Sequence, residues 1–173
     1  MRYDTPRYHG FQLSTSLLTE QRYDAGLYWG AQGYGFKAVA AAAIADPKLD
    51  NTGMQYDGSF SILHEDTGLN LTLSTGLQEH DNEDDGENYY AKIGWIAHLF
   101  SFGDTAFAID YNKTENQPAE GDDGYSSGIA AVQSFEEYGA ELYFLYRVYS
   151  LDRDIEPEVH DINVVTIGTR VKF

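Results

Sequence analysis

Residues 69–78 read Leu-Asn-Leu-Thr-Leu-Ser-Thr-Gly-Leu-Gln, and this strict alternation narrows the fold more than anything else in the chain. Side chains two positions apart share one face of an extended strand. Leu69, Leu71, Leu73, Thr75 and Leu77 therefore fall on one side, with Asn70, Thr72, Ser74, Gly76 and Gln78 on the other. The last residues repeat the pattern: Val165, Ile167, Thr169, Val171 and Phe173 stand opposite Thr166, Gly168, Arg170 and Lys172. Ala140, Leu142, Phe144, Tyr146 and Val148 do the same opposite Glu141, Tyr143 and Arg147. Strand character also marks 11–19, 22–30, 36–45, 54–63, 88–99, 105–113 and 125–135, the last alternating least clearly. The expected fold is all-β, with ten strands of about 9–12 residues and no amphipathic helix between them. One domain, spanning 1–173, is expected.

From residue 46 onward the connections alternate in length. Segments 46–53, 79–87, 114–124 and 152–161 are long, whereas 64–68, 100–104 and 136–138 are short. An antiparallel up-and-down meander sends every second connection to the same side. One rim should then carry long loops and the other tight turns. Charge divides in the same way. The chain carries 28 Asp plus Glu against 11 Lys plus Arg, a net charge of −17. Most of the acids sit on the long-loop side, among them Glu20, Asp50, Asp81, Glu83, Asp84, Asp85, Asp122, Asp123, Asp152 and Asp154. The short-turn side holds only Glu65, Asp66, Asp104, Glu136 and Glu137.

Several function classes fall away on composition. A chain this acidic offers no basic face to a phosphate backbone, so nucleic acid is not an expected partner. The absence of cysteine removes disulfides, thiolate zinc sites and cysteine nucleophiles. The five histidines (His9, His64, His80, His98 and His160) show no metal-ligand spacing, and no Gly-x-Ser-x-Gly elbow occurs, so no enzyme activity and no cofactor are expected. Gly30, Gly33 and Gly35 lie between two strands with no helix to receive a phosphate, and mark a turn. Asp81-Asn82-Glu83-Asp84-Asp85-Gly86 has the glycine of a calcium loop, but Glu83 at the third position and Lys92 at the twelfth break the ligand pattern. These acids are read as solvating an external loop, with at most weak divalent-ion bridging.

Alternation alone does not say which face is covered. A soluble barrel or sandwich buries its apolar face, whereas a transmembrane barrel turns that face to lipid. Strands of about ten residues match a tilted bilayer crossing, and soluble strands average about 5–6. Aromatics also gather toward strand ends. Phe11, Trp29, Tyr34, Phe36, Phe100, Phe102, Phe135, Tyr138 and Phe173 lie near the short-turn rim, and Tyr89, Tyr90, Tyr111, Tyr125 and Tyr149 near the other. Two aromatic girdles are expected at lipid–water boundaries. The membrane barrel is therefore the favoured reading, despite a mean hydropathy of −0.45. Its lumen would be faced by Lys37, Lys92, Arg147, Arg170 and Lys172 among Asp24, Asp57, Asp110 and Glu141, whose opposed charges would bias ion passage. Arg147 and Lys92 are the favoured passage residues.

The same residues carry a family resemblance. Arg2-Tyr3-Asp4-Thr5-Pro6 leading to Gly10-Phe11, then Val132-Gln133-Ser134-Phe135, Gly139-Ala140-Glu141-Leu142-Tyr143-Phe144 and Tyr146-Arg147-Val148-Tyr149-Ser150-Leu151, resemble segments of the Gram-negative general-diffusion porins. The ending Ile167-Gly168-Thr169-Arg170-Val171-Lys172-Phe173 is similar to their closing strand. The resemblance covers essentially the whole chain. It implies a trimeric, sixteen-stranded outer-membrane barrel for passive diffusion of small hydrophilic solutes and ions, set among membrane lipid and lipopolysaccharide. It also implies that Phe173, Val171 and Ile167 form a signal for the barrel assembly machinery. The ten strands would be the seventh to the sixteenth, so the chain is expected to be a C-terminal portion without the constriction loop. The alternative expectation is a closed-lumen barrel whose acidic loops bind a ligand or partner.

Overall fold

A computed structural model describes residues 1–19, 22–49, 51–81, 83–117, 119–153 and 159–172. Eleven strands form one antiparallel sheet in which spatial order follows chain order. They are β1 (Arg2–Asp4), β2 (Phe11–Leu17), β3 (Tyr23–Gly33), β4 (Phe36–Asp46), β5 (Thr52–His64) and β6 (Leu69–His80), followed by β7 (Gly86–Phe100), β8 (Gly103–Glu115), β9 (Asp122–Phe135), β10 (Ala140–Arg153) and β11 (Ile162–Val171). The sheet is an up-and-down meander and does not close: β1 pairs with β2 and β11 with β10. Helical geometry among the described residues is confined to the 3-10 turn Glu136–Tyr138 and to Thr19. No helix there is long and apolar enough to cross a membrane.

The eleventh strand is the short β1, which falls in the Arg2–Pro6 segment that carries part of the porin resemblance and is not among the ten expected strands. A second difference from the expected pattern is the length of the loops. The strand ends at Leu17/Tyr23, Asp46/Thr52, His80/Gly86, Glu115/Asp122 and Arg153/Ile162 share one rim, and the connections 5–10, 34–35, 65–68, 101–102 and 136–139 share the other. Acid-rich strand ends had masked how far pairing continues. Asp122, Asp123 and Asp152 are not loop residues; they belong to β9 and β10, where Asp152 pairs with Asp123 and Arg153 with Asp122. The Arg153 guanidinium reaches Asp122 Oδ2 at 2.6 Å, and Asp122 is 4% exposed. That ion pair extends the ladder into what alternation alone reads as a loop. Asp81, Glu83, Asp84 and Asp85 do occupy a loop, which His80 N–H braces by donating to Asp85 Oδ1 at 3.1 Å. Glu20, Asp50, Asp154 and Phe173 lie outside the described residues.

The short-turn rim is built from tight chemistry. Tyr34 and Gly35 form a two-residue hairpin with φ of 52° and 77°, the left-handed pair whose twist matches that of the flanking strands. At the next turn on that rim Gly68 has φ 71°, and a Cβ there would collide with the Ile96 carbonyl; Ile96 N–H donates to Gly68 O at 2.9 Å, which holds the two backbones this close. Trp95 Nε1 caps the same turn by donating to Thr67 O at 3.0 Å.

Register fixes the faces, because directly paired residues point the same way. Leu71, Ile93, Ile109, Ile129, Tyr146 and Val165 form one continuous row across β6–β11. Ile93 and Ile109 are each 58% exposed and Ile129 is 50% exposed. Ala97 is the one buried hydrophobic residue among those described. The sheet has an apolar face, and the described residues place no core behind it.

Aromatic contacts line that face near the short-turn rim. Phe11 meets Trp29 at 6.4 Å between centroids, Trp95 meets Phe107 at 6.1 Å, and Phe102 stacks between Phe100 and Phe135 at 5.0 and 5.3 Å. At the opposite end Tyr89, Tyr111 and Tyr125 share the apolar face, together with Tyr23 and Tyr56. Tyr90 and Tyr149 do not: they pair into the row of Tyr28, Ser59, Ser74 and Ser126, on the polar face. Clustering by strand end had counted them in the girdle, but strand parity removes them.

Gly68→Ala is expected to destabilise the sheet by about 1–3 kcal/mol through left-handed strain and the Ile96 clash. Urea unfolding in detergent micelles, followed by fluorescence of Trp95 beside that turn, measures it.

Candidate functional site

All nine charged residues expected on the polar face share it. Lys92, Asp110, Gly128 and Arg147 form one cross-strand row over β7–β10. Asp57 stands in the row of Gly76 and Asn88, and Asp24 in that of Ser16 and Ala45. Lys37 pairs with Leu63 and Gln32, and Glu141 pairs with Arg170. Lys172 joins them by donating to Glu141.

The site's centre is the row on β8–β10. Asp110 is 7% exposed, and Arg147 Nη2 meets its Oδ1 at 2.5 Å. Arg147 Nη1 also donates to Ser126 Oγ at 3.2 Å. Gly128 lies between the two partners in register, and a Cβ there would stand 3.1 Å from Arg147 Nη2 and 3.2 Å from Asp110 Oδ2. Without a side chain on β9, the guanidinium can cross that strand and lie along the sheet. Lys92 is paired with Asp110 in register from the other side, so the carboxylate has one cation on each flank.

The same device recurs across the polar face. Asn70 lies over Gly94, Tyr143 over Gly168, and Thr114 over Gly124, each pair in direct register. Long polar side chains fold down onto glycines, so the face stays low. This is why so many glycines occur on the polar side of the strands.

Most of the cations are neutralised locally. Lys37 Nζ meets Glu65 at 2.8 Å, and Arg170 and Lys172 both bond Glu141. Among the described residues Lys92, Asp24 and Asp57 form no ion pair; Asp24 accepts from Ser16 and Asp57 from Gln55. The charge pattern is thus a set of short dipoles within the sheet, each reaching one or two strands. The Lys37 ammonium, bonded to the turn residue Glu65, holds that carboxylate below its usual range. Its stabilising effect is present at neutral pH and is lost as pH falls through the lowered Glu65 value.

Sequence reading named Glu65 only as a short-turn acid and Tyr143 only by parity, and did not name Arg153 or Tyr28. Arg153 ends β10 and Glu65 lies in the turn after β5, and only the folded sheet shows their partners, Asp122 and Lys37. Tyr28 and Tyr143 were legible as polar-face residues by parity, but their neighbours Gly26 and Gly168 give them their posture. Of the residues read as an assembly signal, Ile167 and Val171 lie on the apolar face of the edge strand, 68% and 61% exposed. No three acidic or imidazole groups converge on a metal position among the described residues. Comparison with protein-family models, with curated proteins and with solved structures gave no match.

Replacing Arg147 with Met is expected to destabilise the sheet by about 1–3 kcal/mol, because Asp110 is left covered and unpaired. Adding Asp110→Asn to that variant should recover most of the loss. A urea double-mutant cycle reads the coupling, and additive effects would show that the pair is not energetically linked.

Proposed function

We propose that the chain is part of the wall of a transmembrane β-barrel of the general-diffusion porin type. Its polar face would line a water-filled path for small hydrophilic solutes and ions across the outer membrane. The observation that carries this reading is the uncovered apolar face. Ile93, Ile109 and Ile129 adjoin in register and are half exposed or more, while Ala97 is the one buried hydrophobic among the described residues. A soluble sandwich needs a second layer over such a face, and lipid is the solvent that makes it favourable without one.

Three further features support the proposal. Strands β3–β11 have 10–15 residues, enough for a tilted crossing. Aromatic residues band the apolar face at both ends. The polar face is kept low by glycine and filled with Ser, Thr, Asn and paired charges, which suits a wet wall; a closed-lumen binding barrel would need bulky residues packed against one another there. Strand direction supplies a parity condition. Neighbours are antiparallel throughout, so β1 and β11 run the same way, and antiparallel closure requires an odd number of further strands between them. The five additional strands of a sixteen-stranded barrel satisfy it. In that reading the mature assembly is a homotrimer, and passage needs no cofactor or energy input.

The acid-rich loop rim sets the expected ion preference. In planar bilayers under a salt gradient, the full-length gene product is expected to conduct with a reversal potential displaced toward cations. The displacement should shrink in 1 M salt, where the screening length is about 3 Å. No conductance, or a firm anion preference, contradicts the proposal.

A further inference from the structure

Between β3 and β7 the polar face holds a trough of ≈ 390 Å³ whose side chains are not used by the charge pairs described above. Its floor carries only small residues, Ala41, Ala43, Gly58, Ser59, Ser74 and Gly76 among them. Tyr28 stands at one side. Its ring lies along β3 over Gly26, where a Cβ would be 3.1 Å from the hydroxyl and 3.2 Å from Cε2, and the residue remains 40% exposed. Asp57 rises from the middle of the floor. Gln55 Nε2 donates to its Oδ2 at 3.0 Å, while its Oδ1 lies toward Gly76, 3.0 Å from where a Cβ would be. Asn88 and Gln117 border the far side, and Gln117 reaches in from the β8–β9 connection by lying over Gly86, where a Cβ would be 2.8 Å from its Nε2.

We infer that this trough is a binding site for a neutral polyhydroxylated solute, a short saccharide in chemical class. The chemistry of the lining selects that class. An accessible tyrosine ring offers a surface for the C–H faces of a sugar ring. A carboxylate accepts two hydroxyl protons, and carboxamides of Asn88 and Gln117 donate and accept at once, as adjacent hydroxyls demand. No Lys or Arg lines the trough, so it offers nothing to an anion. The lining amides and hydroxyls would be left unpaired by an apolar ligand, at the cost of their desolvation. Tyr28 and Asp57 lie two strands apart, about 10 Å, a span of sugar-ring dimensions.

This inference deepens the diffusion reading in that solutes would reach the trough from the lumen, but binding itself needs no conductance. The probe is maltotriose, followed by saturation-transfer NMR on the full chain folded in detergent micelles, with folding checked by heat-modifiable migration. Saturable transfer is expected, and Tyr28→Ala and Asp57→Asn should each raise the apparent dissociation constant about tenfold. Tyr28→Phe, which keeps the ring, should fall between, and Tyr143→Ala, on the same face outside the trough, should match the parent. Absence of transfer from the folded chain overturns the inference. So does an equal effect of Tyr143→Ala, or choline binding at Tyr28 and Asp57 in place of the sugar. Binding without conductance would remove the pore reading and leave the site; conductance without binding would do the reverse.

Discussion

A period-two side-chain pattern on a single sheet layer forces every strand to present its apolar residues to the same side, and here none of the described residues covers that side. Hydrophobic burial is ordinarily the dominant favourable term in folding. In this structure it cannot come from the interior, because Ala97 is the one buried hydrophobic among the described residues. The ladder of backbone hydrogen bonds defines the sheet, and the medium against its apolar face decides whether that sheet is stable. The membrane proposal is therefore a statement about energetics as well as location. The same rows of Ile, Leu, Val and Phe that would drive aggregation in water would be the stabilising surface in lipid.

The polar face answers a different requirement. A wall that borders water must hold charges without building inward, and the glycines opposite Arg147, Asn70 and Tyr143 let those side chains lie flat. Charges then find partners nearby in the sheet, Arg147 reaching Asp110 across Gly128 and Arg170 meeting Glu141 on the adjacent strand. Local pairing means that the selective field of the proposed pore would arise less from opposed wall charges than from the residues left outside such pairs, notably Lys92 and Asp57, and from the acid-rich rim. It also frees the stretch between β3 and β7 for the low-charge trough around Tyr28.

Much of this was legible in the sequence because strand parity is an exact code. Alternation in 69–78, 140–148 and 165–173 assigned both faces, and all nine charged residues read as sharing the polar face do share it. What parity cannot give is register. The partner of Asp110 is two strands away across Gly128, so the Arg147 pair was invisible until the ladders were aligned. Strand ends were misjudged for a related reason. Asp122, Asp123 and Asp152 look like loop residues by composition, and only the cross-strand Arg153 shows why they remain in the sheet. Tyr90 and Tyr149 were grouped by distance from strand ends, a criterion that ignores which way the ring points.

The orientation of the two faces is tested most directly by attaching single nitroxide labels along β7 and β8. The chain has no cysteine of its own, so each introduced cysteine is the sole labelling position. Power-saturation measurements in reconstituted vesicles would compare collision with oxygen, which concentrates in lipid, and with a water-soluble nickel chelate. Labels at Ile93, Trp95, Phe107 and Ile109 are expected to favour oxygen, and labels at Lys92, Gly94, Ala108 and Asp110 the chelate, with a period of two residues. The same period with the preferences reversed, or chelate access at every position, would contradict a lipid-facing apolar surface.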